Sequence, residues 1–307
     1  MPEGEATFYE SDVGEDFGPV GMCSLPIAFS GEVYMIVVLE YSSGHTQSVA
    51  AYLFDPGGAG LSTAWYGEFP SWMDPSIGWT GEVFLASFPV LDEGNLVMTF
   101  SEAGENTRTE MVDMNDEGSG GWDSEEATKI MCPTSGPFIL DFGPPNATVI
   151  VDVLRHFNFD GSFADTEVEL DLPPHITTFG RPACAPVGPA VACFYGLPPL
   201  NKPNLFFLDR EGNVWGSPSF PETTHFEMGG AIADLGEAAA IFWFDTPDWG
   251  DHINMCFTIL GLDALVITPP TILDLAIERD DEMGLSAATS GTDVLVAGPT
   301  PDELKAA

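Results

Sequence analysis

Basic side chains are nearly missing from this sequence: 8 Lys and Arg stand against 48 Asp and Glu, a formal net charge of −40 over 307 residues. Charged residues total only 18%, below the roughly 25% of an ordinary soluble domain. The imbalance therefore comes more from absent bases than from added acids. That shortage excludes direct binding to nucleic acid or to an anionic membrane surface, because phosphate contacts are made by Lys and Arg. No apolar run approaches the length of about 20 residues that a membrane-spanning helix takes. The opening segment MPEGEATFYESDVGEDFG has no apolar core, so no secretory signal is expected there. The cysteines are Cys23, Cys132, Cys184, Cys193 and Cys256, an odd number with no C-x-x-C pair; the common zinc and thioredoxin signatures are thereby removed. Reduced, buried thiols are the expectation, with Cys184 and Cys193 placed to face each other across a hairpin. Helical periodicity is scarce, and Thr271–Arg279 (TILDLAIER) is the one stretch that reads as a helix.

Uncompensated negative charge repels itself and destabilises a compact chain. At about 1 M salt the Debye length falls to about 3 Å and screens that repulsion. Only Lys129, Lys202 and Lys305 remain among the lysines. The composition resembles that of proteins from extreme halophiles and their viruses. What the resemblance implies is a working environment of concentrated salt.

What is present is material for many short strands. Hydrophobic residues make up 44% and aromatics 11% of the chain, enough for a large core. Val33–Glu40 (VYMIVVLE), Val49–Phe54 (VAAYLF), Asn95–Phe100 (NLVMTF), Ala190–Tyr195 (AVACFY) and Ala239–Phe244 (AAIFWF) are β-branched or aromatic runs bounded by turn residues. With 33 Gly and 26 Pro, tight turns are plentiful. A turn motif recurs about every fifty residues: Asp55-Pro56-Gly57-Gly58 with Trp65, Asp116-Glu117-Gly118 with Trp122, Asp160-Gly161, Asp209-Arg210-Glu211-Gly212 with Trp215, and a weaker copy at Asp263 that lacks the Gly. The interval from Asp263 through the C-terminus back to Asp12 has the same length, which predicts six units and a ring closed by the N-terminus.

Repeated four-stranded sheets around an axis make a β-propeller, and the sequence resembles a six-bladed one. Its Asp/Gly turns followed by Trp loosely resemble the Asp-boxes of sialidases. The expectation is one all-β domain over residues 1–307. Blades run at about 21–70, 78–128, 131–173, 179–222 and 226–271, and residues 5–18 complete a last blade at 283–300. A β-sandwich or jelly roll is the alternative. The predicted inner strands are Cys23–Phe29, Val83–Phe88, Phe138–Phe142, Ala183–Val187, Gly229–Asp234 and Gly284–Thr289, most of them rich in small residues that suit a crowded axis.

Catalytic motifs are absent. There is no G-x-S-x-G elbow, P-loop or dinucleotide fingerprint, and the five histidines are scattered. A sialidase-like site would need clustered arginines, and Arg108, Arg155, Arg181, Arg210 and Arg279 do not fall at matching positions. Asp141 and Asp234 are the carboxylates placed on predicted inner strands, the candidates for a two-carboxylate hydrolytic site. Trp72, Trp79 and Trp249 are candidates for stacking on sugar rings. Asp245, Asp248 and Asp251, three carboxylates on one loop, are candidates for Ca²⁺, with diffuse K⁺ or Na⁺ as the plainer occupant. No organic cofactor is implied. The functional expectation is a non-enzymatic structural or recognition module, a virion protein (tail, fibre or capsid-associated) of a virus infecting a halophilic host. Its partners would be other proteins of a large assembly or a cell-surface glycan or receptor. The alternative is a halophilic carbohydrate-active hydrolase, with the cytoplasm of a halophile as the alternative location.

Overall fold

The computed structural model describes residues 26–41, 47–57, 59–69, 75–90, 94–112, 127–142, 152–170, 183–197, 202–216, 226–245, 252–278, 286–289, 294–298 and 305–306. All regular structure among them is β. Five four-stranded antiparallel sheets follow one another along the chain. Blade 1 comprises β1 (Ile27–Phe29), β2 (Tyr34–Tyr41), β3 (Gln47–Phe54) and β4 (Gly60–Phe69). Blade 2 comprises β5 (Ser76–Trp79), β6 (Phe84–Val90), β7 (Gly94–Phe100) and β8 (Asn106–Val112). Blade 3 holds β9 (Ala127–Met131), β10 (Phe138–Phe142), β11 (Asp152–Phe157) and β12 (Phe163–Leu170). Blade 4 holds β13 (Ala183–Val187), β14 (Ala190–Leu197), β15 (Lys202–Leu208) and β16 (Val214–Gly216). Blade 5 holds β17 (Phe226–Asp234), β18 (Ala238–Asp245), β19 (His252–Gly261) and β20 (Val266–Glu278).

A smaller sheet follows, with β22 (Val294–Gly298) between β21 (Ser286–Thr289) and β23 (Lys305–Ala306). The six complete blades expected from the turn spacing are thus corrected to five. In the last sheet the strand beside β22 comes from the C-terminal tail, because Ala297 pairs with Ala306 and Gly298 with Lys305. Residues 5–18, expected to close the ring, lie outside the described residues.

The second strands β6, β10, β14 and β18 are nearly continuous apolar runs because both faces of blades 2 to 5 are buried. In β6, Phe84, Ala86 and Phe88 pack with Met35, Val37 and Leu53 of blade 1. Leu85, on the other face, joins Ile130, Ile139 and Phe157 of blade 3. In β14, Val191 and Cys193 meet Leu140 and Leu154 of blade 3, whereas Ala192 and Phe194 meet Ile241 and Trp243 of blade 5. Ala240, Phe242 and Phe244 complete the series against Ala287 and Val294 of the small sheet. One hydrophobic layer therefore lies between each successive pair of sheets. First strands touch first strands, β1 to β5, β5 to β9, β9 to β13, β13 to β17 and β17 to β21, so these line the axis. Val83–Phe88 and Phe138–Phe142, predicted as inner strands, fall in and around the second strands β6 and β10. Their bulky Phe residues fill the layers between blades and would not fit at the axis. Thr271–Arg279 is not helical: its residues to Glu278 extend the outer strand β20, where pairing with β19 overrides a helix-like spacing.

The repeat sits in the turn between third and fourth strands. Asp55, Ser101, Asn158, Asp209 and Gly261 each donate their N–H to the carbonyl four residues on. The residue at the fourth position is Gly104, Gly161, Gly212 or Ala264, each with positive φ, as a three-residue hairpin with a left-handed residue requires. Blade 2 uses Ser101–Glu105 for this turn; Asp116 lies outside the described residues. In blades 2 to 5 this turn leans on the preceding blade. A Cβ on Gly161 (φ 75°) would sit 2.2 Å from Thr99 Cγ2 and 3.3 Å from Val83 Cγ2. Gly161→Ala is therefore expected to destabilise by about 2–4 kcal/mol, adding left-handed strain to overpacking, measured by denaturant unfolding in molar KCl. Blade 5 inverts the arrangement. Ala264 takes the left-handed position at φ 61° without being glycine, and it faces Gly216 of blade 4, where even an added Cβ would lie 3.5 Å from the Ala264 methyl, an ordinary contact. Ala264→Gly relieves that strain, and a gain of about 1 kcal/mol is expected in the same assay.

Candidate functional site

An antiparallel meander places the first-to-second and third-to-fourth turns at one end of every blade. The second-to-third connections and the links between blades lie at the other end. The turn end is bonded to itself. Ser30 and Thr80 accept from the N–H groups two and three residues on, which fixes the matching Ser30-Gly-Glu-Val33 and Thr80-Gly-Glu-Val83 turns. The Thr80 hydroxyl also donates to the Phe159 carbonyl of blade 3. The Ser135 hydroxyl donates to Pro189 O at 2.7 Å, and Thr134 N–H donates to Gly188 O at 2.9 Å, joining blade 3 to blade 4. Trp215 Nε1 donates to Leu262 O at 2.7 Å, joining blade 4 to blade 5, with its ring stacked on Phe207. Arg210 donates to Ser135 O at 3.2 Å and Phe157 O at 3.4 Å, and its own carbonyl is bonded by His156 Nε2. The paired Ser/Thr-Gly-Glu-Val segments are legible in the sequence and are a repeat signal that the Asp/Gly search passed over.

The carboxylates at this end cap turns. Asp55, Asp160, Asp209, Asp234 and Asp263 accept backbone N–H bonds from Ala59, Ser162, Asn213, Gly236 and Leu265 respectively. The Ser162 hydroxyl and then its backbone N–H hold the Asp160 carboxyl below the usual carboxylate range. Asp234 ends β17 at the turn end, with Gly188 N–H of blade 4 at 3.5 Å from its second oxygen. Asp141 lies on β10, a second strand, paired in register with Thr128 and Val153. It sits where β10 leaves for the connection end. The topology therefore places Asp141 and Asp234 at opposite ends of two different blades, separated by about the height of a strand, roughly 15 Å or more.

The described arginines serve the scaffold. Arg155 is buried between blades 2 and 3 and paired with Glu167 at 2.9 Å. Arg108 pairs with Glu110 on the exposed outer strand β8. Neither these nor Arg210 lies on a first strand; Arg181 and Arg279 lie outside the described residues. Trp79, at the turn end of β5, packs on Phe84 with ring centroids 4.8 Å apart and borders the layer between blades 1 and 2.

Of the other candidates only Asp245 is among the described residues, at the connection end. Trp72 falls in the link between blades 1 and 2. Asp245 is the last residue of β18, paired in register with Phe226 and Asn254. Asp248, Trp249 and Asp251 follow in the β18–β19 connection. Trp72, Asp248, Trp249 and Asp251 lie outside the described residues. Among the described residues no group of three or more His, Cys, Asp or Glu is placed to hold a metal ion, and no helix is long and apolar enough to cross a membrane.

No protein-family profile matches the chain, and no curated protein is similar to it in sequence. Solved structures are similar in shape. The BP39L lectin of Burkholderia pseudomallei superposes with a TM-score of 0.59 at 12% identity, over 92% of this chain and 83% of the lectin. A subtype N10 neuraminidase-like protein of A/little yellow-shouldered bat/Guatemala gives 0.54 at 14% identity, over 92% of each chain. Hydrazine synthase of Kuenenia stuttgartiensis gives 0.53 at 12% identity, over 96% of this chain and 81% of that one. At such identities the likeness is one of fold, and with the succession of first strands it establishes the chain as an all-β propeller.

Proposed function

We propose that this propeller is a non-enzymatic recognition module that binds a glycan or a protein surface through its connection end. The observation that carries the reading is the division between the two ends. The described residues of the turn end spend their hydroxyls, carboxylates and Arg210 on turn-capping and blade-to-blade bonds, while Asp245 ends β18 at the other end and the sequence that continues from it holds Asp248, Trp249 and Asp251. Propellers with lectin and neuraminidase-like names among the similar structures support the choice of ligand class, by analogy of fold. We place the protein in a virion as a tail, fibre or capsid-associated component of a virus whose host lives in strong salt. Support for the salt comes from the net charge of −40. Ca²⁺, if used, is held by Asp245, Asp248 and Asp251.

The test is a glycan array in molar KCl with sedimentation of the source material. Binding without turnover and recovery with large particles are expected. Trp249→Ala and Trp72→Ala should each weaken glycan binding about tenfold, the loss of about 1.4 kcal/mol of stacking, while Trp79→Ala should lower stability and leave affinity unchanged. Turnover of a glycan abolished by Asp141→Asn would overturn the reading in favour of a hydrolase.

A further inference from the structure

Blade 4 carries a second kind of chemistry. Its first hairpin turns on Gly188-Pro189, with Gly188 at φ 55° and Val187 paired with Ala190. A two-residue turn makes that closing pair a hydrogen-bonded one. Pairs then alternate along the ladder. Pro186 with Val191 is a non-hydrogen-bonded pair, Ala185 with Ala192 a hydrogen-bonded one, and Cys184 with Cys193 again non-hydrogen-bonded. At such sites the two Cα atoms approach to about 4.5 Å, inside the range of about 4.4–6.8 Å that a disulfide bridges. The two sulfurs are 2.7 Å apart, against about 2.05 Å in a disulfide. Both thiols are free. Cys193 is fully buried in the layer between blades 3 and 4, and Cys184 is half-buried at its border.

We infer that Cys184 and Cys193 are a redox pair, converted by a low-molecular-weight disulfide such as oxidised glutathione into a cross-strand disulfide that locks the axial hairpin of blade 4. The half-buried Cys184, as thiolate, attacks one sulfur of the oxidant; a mixed disulfide forms and one thiol leaves with a proton. The Cys193 sulfur then gives up its proton and attacks the Cys184 sulfur, forming the protein disulfide and expelling the second thiol. Two protons and two electrons pass from the protein to the oxidant, which becomes two thiols. Burial, and then the adjoining Cys184, holds the Cys193 thiol well above its ordinary range. Burial likewise pushes the Cys132 thiol up, to about 12.

The chain lends itself to a clean test. Trypsin does not cut Arg181-Pro182 or Lys202-Pro203, so the fragment 156–210 carries Cys184 and Cys193 and no other cysteine. The folded full-length protein is incubated with oxidised glutathione in molar KCl, then denatured, alkylated, digested and weighed. The expected fragment is two hydrogens lighter and takes up no alkylating agent. Cys193→Ser should instead hold one glutathione on Cys184. A fragment that still alkylates at both sulfurs, a wild-type fragment that stops at the mixed disulfide, or a bond from Cys184 to another chain would each overturn the inference.

Discussion

Trp243→Ala is expected to cost about 3–5 kcal/mol, the range for emptying a large aromatic site in a packed core. Trp243 is fully buried. It stands on β18 with its ring tilted on Phe194 of blade 4 at a centroid distance of 5.8 Å, in the layer that also holds Leu205, Phe207, Ile232 and Cys256. Blades 4 and 5 meet through this layer. A cavity here therefore weakens an interface between repeating units as well as one sheet. Denaturant unfolding at constant molar KCl measures the loss, and a fall in Tm on the order of 10 °C should accompany it. Trp243→Phe keeps the ring contact with Phe194 and should recover more than half. A loss under about 1 kcal/mol for the alanine variant would mean that the two blades are not held together here.

The same layered packing explains what could be read in advance. The succession of blades was legible because each unit repeats a turn, an apolar run and another turn, although the boundary read between 128 and 131 falls inside β9, the first strand of blade 3. Asp55, Asp160, Asp209 and Asp263 all fall in third-to-fourth turns. Counting failed at Asp116 because the requirement in that turn is for a left-handed residue at the fourth position, which Gly104 meets after Ser101, and not for an Asp at the first. Assignment of inner strands failed at Phe138–Phe142 for a related reason. An apolar run marks burial on both faces, which second strands have more fully than first ones. The small-residue rule did hold at Ala183–Val187 and Ser286–Thr289, both first strands. The candidate site was less legible. Position along a strand decides which end of the disc a carboxylate reaches, so Asp141 and Asp234 look equivalent in sequence and are placed at opposite ends. Nothing in the sequence marks Trp79 as a residue that borders a layer between blades, as it does.

Raising KCl from about 0.1 M to about 2 M, which cuts the Debye length from about 10 Å to a few Å, is expected to raise Tm on the order of 10 °C. The argument rests on numbers that pairing cannot change. With 8 Lys and Arg for 48 Asp and Glu, no arrangement of side chains neutralises more than a small share of the acids. One of the bases, Arg155, is already buried with Glu167. The remaining acids repel across the whole disc, and unfolding relieves that strain by spreading them out. Several kcal/mol of such repulsion, removed by screening, gives the stated shift for a chain of this size. Because the cause is a diffuse field, NaCl and KCl should act alike at equal ionic strength. The turn carboxylates of Asp55, Asp209 and Asp263 keep their backbone N–H partners at any salt concentration, so local turn geometry should not change as Tm rises. Millimolar Ca²⁺ added at fixed ionic strength separates the specific case: a further rise that Asp248→Asn removes would assign a bound ion to the β18–β19 connection. A Tm that stays flat across the salt series would show that self-repulsion does not limit this fold, and would withdraw the support that charge lends to a life in brine.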